Sequence, residues 1–381
     1  MPDDQPASNP PAPDPSKPTL PELRDRIDEI DRRLVELLNE RARAVVTVGE
    51  VKRDDGTPIY APHREQEVLK KVLGLSQGPL NERTIEAIWR EIMSGSFSLE
   101  HPLRIGYLGP PGSYSHQAAT SHFGSSVSYE DMHEVDGVFT EVLRGHCNYG
   151  LVPIENSNSG GVVDTLDAFL AHGRQITIYS ELLLNVHHSL LANCEPKQVS
   201  RVHSKPEALS QCRKWLATQF PGVELVPAAS TSRAVQTAKA EEVLEPGRGS
   251  AAIGSTLAGQ LYGVNTLFER IEDDPNNITR FFVICREKAQ PTGDDKTSIM
   301  FSTEDRPGAL LRVLSAFDAH SVNLSHIDKR PSGRENWSYT FFIDAVGHRE
   351  DDKVATAIDA ARGHCNELIV LGSYPRAQRI L

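Results

Sequence analysis

A chain of 381 residues is longer than one ordinary hydrophobic core organises, so two or three domains are expected. Hydrophobic residues make up 39% and charged residues 24%, the balance of a soluble globular protein. No apolar run approaches the roughly eighteen residues of a membrane span, and a formal net charge of −12 argues against a general nucleic-acid binder while leaving room for a local arginine pocket around a small anion.

The first eighteen residues hold seven prolines and neither the basic region nor the apolar segment of a signal peptide, so residues 1–18 are expected to be a disordered tail. The five cysteines (147, 194, 212, 285, 365) show no CxxC or zinc spacing and read as free thiols of a reducing, cytoplasmic compartment. From Pro21 to about Glu100 the pattern is helical. Leu23, Ile27, Ile30, Leu34 and Leu37, then Val45 and Val48, mark one face of a long helix. The same stripe passes through Arg41 and reaches Lys52, two cations roughly 16 Å apart on one face, where a small anion would fit between them. The plain alternative is that the stripe meets solvent there. A second helix starts near Pro62 with Arg64 and Glu65 in its first turn. A third runs Ile85, Trp89 and Ile92 into Ser96 and Glu100, so its apolar stripe also turns polar at one end.

The stretches "LRDRIDEIDRRLVELLNERARAVVTVGEVK", "PIYAPHREQEVL" and "REIMSGSFSLE" resemble the all-α chorismate mutase domain. The resemblance implies conversion of chorismate to prephenate. It places Arg24, Arg41 and Arg64 on the substrate carboxylates, Lys52 at the ether oxygen, Glu65 on the substrate hydroxyl, and Ser96 and Glu100 as the third-helix pair. Glu100 stands where relatives commonly carry Gln, and an acid there donates a hydrogen bond only while protonated. Ala61 stands where Asp is common. Arg24 lies roughly 25 Å from Arg41 along the helix and about 100° around it, so it cannot reach the same small molecule in one subunit. The family's intertwined dimer agrees with that spacing, and a homodimer or higher homo-oligomer is expected.

Residues 102–286 alternate short apolar strands with helical stretches, an α/β pattern. "RIGYLGPPGSYS" invites a dinucleotide-binding reading, but its glycines are spaced GxxGxxG and Pro110-Pro111 blocks the tight first turn. Together, "GYLGPPGSYSHQAA", "LVPIENSNSGGVVDTL", "HSKPEALSQC", "AAIGS" and "NNITRFFVI" resemble prephenate dehydratase. That family implies two α/β lobes of the periplasmic-binding-protein kind with the site between them. Its Thr-Arg-Phe motif falls on Thr279, Arg280 and Phe281. Thr279 is the candidate donor to the leaving hydroxyl; Arg280 either holds a carboxylate or supports the cleft. Glu155, Asn156 and Ser157 end a strand, and Ser113, Tyr114 and Ser115 open a helix. All are candidate substrate contacts, although each position also suits an ordinary cap. Ser159 stands where many relatives carry Glu.

After the polar linker "REKAQPTGDDKT" the order strand, helix, strand, strand, helix, strand fits a ferredoxin-like βαββαβ unit. "TSIMFSTEDRPGALLRVLSAFDAHSVNLSHIDKRPS" resembles an ACT regulatory domain. The resemblance implies phenylalanine as effector, bound where two such domains meet, with Gly308, Ala309, Leu310, Asp328 and Arg330 at the candidate site. "IDKRP" departs from the family's ESRP at Asp328 and Lys329; the alternative is a purely structural dimerisation domain. The expected architecture is therefore multidomain α and α/β: a tail over 1–18, an all-helical domain over 19–101, a two-lobed domain over 102–286 and a ferredoxin-like domain over 296–381. No metal or organic cofactor is expected. The rival readings are a preference for arogenate over prephenate, a two-lobed amino-acid-sensing binding protein, and a nicotinamide-dependent dehydrogenase.

Overall fold

The computed structural model describes residues 18–55, 59–331 and 339–381, so the expected tail lies, apart from Pro18, outside the described residues. The chain divides into two compact units, Met1–Thr57 and Pro58–Leu381. The described part of the first is one 36-residue helix, α1 (Leu20–Asp55). Its apolar row of Leu23, Ile27, Ile30, Leu34 and Leu37 is exposed. No described helix is long and apolar enough to cross a membrane.

The second unit opens with α2 (Pro62–Leu75) and α3 (Glu82–Glu100). Pro62 starts α2 without losing a hydrogen bond, because first-turn amides have no helical partner. Asn81 caps α3 by accepting from the Thr84 amide. A first lobe follows: β1 (Arg104–Leu108), α4 (Tyr114–Phe123), β2 (Ser128–Met132), α5 (Val135–Leu143), β3 (Tyr149–Asn156), β4 (Gly160–Gly161), α6 (Val163–His172) and β5 (Thr177–Asn185). The chain then crosses into a second lobe. This lobe comprises β6 (Ser189–Leu191), β7 (Arg201–Ser204), α7 (Pro206–Gln211), α8 (Arg213–Gln219), β8 (Glu224–Pro227), α9 (Thr231–Leu244), β9 (Ser250–Gly254), α10 (Thr256–Tyr262) and β10 (Thr266–Phe268). It returns as β11 (Ile278–Cys285), which runs antiparallel between β3 and β5. The sheets read β2-β1-β3-β11-β5 and β10-β6-β9-β7-β8, two lobes joined by two crossings as expected.

The last module is β12 (Asp295–Ser302), α11 (Ala309–Ala319), β13 (Leu324–Pro331), β14 (Tyr339–Val346), α12 (Asp352–Arg362) and β15 (Glu367–Pro375). Its sheet order, β13-β14-β12-β15, is that of the expected ferredoxin-like unit.

Side chains alternate across a strand, and β11 uses both faces. Phe281, Val283 and Cys285 enter a core with Leu103, Ile105, Tyr149, Tyr179 and, from the helical segment, Tyr60. Phe282 and Ile284 point the other way, into a core with Phe139 and Phe169 of α5 and α6. Met300, Phe342, Leu371 and Tyr374 of the last sheet belong to this second core. The sheets on either side of the polar linker therefore share one core. β15 approaches β5 so closely that a Cβ on Gly372 would lie 2.3 Å from the Ile178 carbonyl oxygen. Gly372→Ala is expected to cost about 1–3 kcal/mol, the usual range for overpacking, read as a lower urea midpoint. An unchanged midpoint would show that the two strands do not need this approach.

Candidate active sites

Thr279 is the second residue of β11 and pairs in register with Asn156, the last residue of β3. The Asn156 side-chain amide donates to Thr279 Oγ1 at 2.9 Å and lies 2.8 Å from Asn277 Oδ1. Its oxygen accepts from the amides of Asn158 and Ser159, so the turn after β3 fixes the side chain. Thr279 Oγ1 thus accepts from Asn156, and among the described residues nothing takes its own hydroxyl hydrogen. The chain of contacts continues across the crossing. Asn277 donates to Gln211 Oε1 at 3.2 Å, and His188 Nε2 lies 2.8 Å from the same oxygen. That oxygen only accepts, so the proton of a neutral His188 sits on Nε2. Burial lowers the His188 pKa, which favours this neutral form. The Tyr114 hydroxyl lies 2.6 Å from His188 Nδ1 and 2.9 Å from the His187 carbonyl. Asn277, Gln211 and His188 were not singled out from sequence; amide side chains carry no periodic signal, and their roles arise only when the lobes meet.

Ser113 and Ser157 are occupied by the backbone. Ser113 caps α4, accepting from the His116 amide and donating to the Leu108 carbonyl. Ser157 donates to the Asn276 carbonyl and accepts from the Ile278 amide, pinning the start of β11. The glycine-rich loop before α4 is a clamp between lobes. The Ser255 and Tyr262 hydroxyls donate to the Gly112 and Pro111 carbonyls, each at 2.7 Å. A Cβ on Gly112, whose φ is +81°, would meet Ala258 at 2.9 Å.

Three expected substrate contacts point elsewhere. Phe281 is a core residue. Arg280, one step from Thr279 along an alternating strand, faces the opposite side of the sheet and is buried. Its guanidinium meets Glu181 at 2.6 Å, Asp344 at 2.5 Å and the Tyr374 hydroxyl at 3.0 Å, and it stacks over Phe282. Of the two roles open to Arg280, the structure favours support. Glu155 turns to the same side, 3.4 Å from His326 Nδ1 on β13 and 3.9 Å from Arg280.

The helical candidates divide similarly. Arg24, Arg41 and Lys52 lie on α1. Consecutive helix residues stand about 100° apart, and Arg64 and Glu65 diverge: Arg64 is exposed and pairs with Glu67 at 2.8 Å. Glu65 is enclosed, 3.3 Å from Arg90, which also donates to the His122 carbonyl at 2.8 Å. Burial raises the Glu65 pKa although Arg90 opposes it. His122 is pushed down to about 3 by burial and then by Arg90, and its Nε2 lies 2.7 Å from the Tyr60 hydroxyl. Arg90 escaped the sequence reading because it follows Trp89 and reads as a polar-face residue. Ser96 is buried and donates to the Ile92 carbonyl at 2.8 Å, with Glu100 one turn on.

Among the effector candidates, Gly308 takes a left-handed φ of 77° at the start of α11, where Ala309 is buried and Leu310 packs on the module's core. β13 alternates, so Leu324, His326, Asp328 and Arg330 are half-buried. Arg330 makes a bidentate pair with Asp167 of α6, both contacts at 2.7 Å, and Asp328 abuts Gly161. These two residues therefore touch the first lobe.

Family models match in the order of the folded segments: chorismate mutase type II over 23–101, prephenate dehydratase over 105–289 and the ACT domain over 297–363. The class is thus a multidomain enzyme that joins a helical mutase segment, a two-lobed dehydratase and an ACT module. A protein of Stutzerimonas stutzeri named bifunctional chorismate mutase/prephenate dehydratase is 43% identical over 365 residues, 94% of this chain and 98% of its own. One of the same name from Aquifex aeolicus is 39% identical over 363 residues, again 94% and 98%. The crystal structure of an Arthrobacter aurescens prephenate dehydratase in complex with L-Phe superimposes with a TM-score of 0.66 at 33% identity, covering 72% of this chain and 90% of that one. The chain belongs to the bifunctional chorismate mutase/prephenate dehydratase family.

The Glu155–His326 contact sets a pH dependence. The His326 hydrogen bond holds the Glu155 pKa down, and the Glu155 hydrogen bond raises the His326 pKa, helped by Asp344 and opposed by burial and Arg280. The pair stabilises the fold fully above the ordinary carboxylate range and below the ordinary histidine value of about 6.5. Its contribution is lost as pH rises through the raised His326 pKa. The urea-midpoint difference between the native chain and His326→Gln should therefore shrink from about pH 6 to about pH 9. A difference constant with pH would contradict the pairing.

Proposed function

We propose that the helical segment rearranges chorismate to prephenate and that the two-lobed domain converts prephenate to phenylpyruvate, carbon dioxide and water. The proposed domain extents are 19–101, 102–286 and 296–381. The mutase step is unimolecular and needs no nucleophile. Arg24, Arg41 and Arg64 hold two carboxylates in a near-attack shape, Lys52 and Glu100 face the ether oxygen, and Glu65 and Ser96 complete the pocket. Arg24 acts in a partner's site within a homodimer. The exposed apolar row of α1 supports that reading, since an amphipathic helix of this length normally covers such a face.

In the dehydratase step the ring carboxylate leaves as carbon dioxide, its bonding electrons enter the ring, and the ring hydroxyl takes up a proton and departs as water. Aromaticity supplies the driving force. One observation carries the assignment: Asn156 donates into Thr279 Oγ1 at 2.9 Å, which polarises the threonine hydroxyl and leaves its hydrogen for the departing oxygen. Tyr114, with Asn156, shapes the wall of the cleft; Ser113 and Ser157 set its backbone. Phenylalanine is the proposed effector of the ACT module, supported by the L-Phe complex of the Arthrobacter relative and by the left-handed Gly308. The five free cysteines support a cytoplasmic setting.

Incubation with chorismate should yield phenylpyruvate with no added metal or organic cofactor. Thr279→Ala should lower dehydratase turnover by about 100-fold or more and leave the mutase rate near native, so that prephenate accumulates. Failure of prephenate to accumulate in this variant would refute the assignment.

A further inference from the structure

We infer that Asp344, on β14 of the ACT module, is a positioning residue for the dehydratase reaction, acting through Arg280 on Thr279; the inference rests on the assignment of Thr279 above. β11 begins at Ile278, so Thr279 stands near a strand end. Between Arg280 and Phe281 the pairing with β3 jumps from Glu155 to Pro153, leaving Ile154 without a partner. Such a bulge re-aims side chains and weakens the ladder locally. Beyond it Thr279 and Arg280 pair with Asn156 and Glu155 of β3 out of step with the rest of β11, and with Leu184 and Leu183 of β5 in an unbroken ladder.

The Arg280 side chain adds a hold on this strand end that runs into the ACT module. Nε donates to Glu181 Oε2 at 2.6 Å, Nη1 to Asp344 Oδ2 at 2.5 Å and Nη2 to the Tyr374 hydroxyl at 3.0 Å. All four residues are buried. The anchors are themselves held. Glu181 Oε1 accepts from Lys296 at 3.0 Å and from the Ala377 amide at 2.9 Å. Ser298 donates to the other oxygen of Asp344 and contacts the Tyr374 hydroxyl at 2.6 Å. Asp344, Tyr374, Lys296 and Ser298 all belong to the ACT module, whereas Glu181 is on β5. A guanidinium is a rigid planar fork, and a buried charge is costly to leave unpaired. Its orientation therefore follows the position of Asp344, and one peptide bond carries that position to Thr279. Displacement of a reacting group by about 1 Å can cost about 100-fold in rate.

The test compares full-length native chain, Asp344→Asn, Asp344→Glu, Tyr374→Phe and Thr279→Ala, measuring dehydratase kcat and KM on prephenate and the mutase rate on chorismate. Asp344→Asn should keep the mutase rate and lower dehydratase kcat by about tenfold or more with KM within about threefold. Asp344→Glu, which keeps the carboxylate, should recover much of the loss. Tyr374→Phe, which removes one neutral partner and keeps the ring, should lower kcat by about threefold and decides the matter if Asp344→Asn does not fold. A folded Asp344→Asn chain with native kcat, a loss confined to KM, or native kcat in Tyr374→Phe beside an unfolded Asp344→Asn would overturn the inference. Thr279→Ala separates the two levels. Its full activity would remove the reading beneath the inference, whereas its inactivity leaves Asp344 to be judged by its own kinetics.

Discussion

A buried guanidinium holds this structure in register. Arg280 sits between Glu181 of the dehydratase sheet and Asp344 of the ACT sheet, with Tyr374 closing the third side. Each partner alone would leave a charge stranded in a region where stranding is costly, so breaking the contact between the sheets is penalised. Around this cluster the apolar contacts are continuous: Phe282 and Ile284 from β11 share one core with Met300, Phe342, Leu371 and Tyr374. The polar centre specifies the arrangement and the apolar surround supplies most of the stability.

The consequence for function follows from the period of a strand. Thr279 and Arg280 are neighbours, so one faces the cleft network of Asn156, Asn277, Gln211 and His188 while the other faces the ACT module. The cleft network and the ACT module thus meet on adjacent residues of a single strand. β13 adds contacts of its own, with His326 on Glu155 and Arg330 on Asp167. It touches both the strand end that carries Asn156 and the helix after it. A change in the pose of the ACT module has short, packed routes to both members of the Asn156–Thr279 pair.

Much of this was legible in the sequence, for identifiable reasons. β1, β3, β5, β8, β9 and β11 were visible as short apolar runs, and Pro62 announced a helix start. β2 is a polar edge strand, and β6, β7 and β10 hold only three or four residues, too few for a period to show. The dehydratase motif located Thr279 and its partner Asn156. It did not tell which way Arg280 points, because the residues that claim its charge lie 99 and 64 positions away. Similarly, Arg64 and Glu65 share the first turn of α2, but packing turns only Glu65 toward Arg90. Charge identity is local information; charge partnership is tertiary.

On this geometry the dehydratase sheet and the ACT sheet form one cooperative body centred on Arg280. Native-state hydrogen exchange across a urea series tests it most directly, since it reports an opening free energy for each amide. Amides of β5 and β11 and those of β12 and β15 should converge on a single opening free energy. Exchange of β12 and β15 at distinctly lower urea, with β5 and β11 still protected, would contradict it.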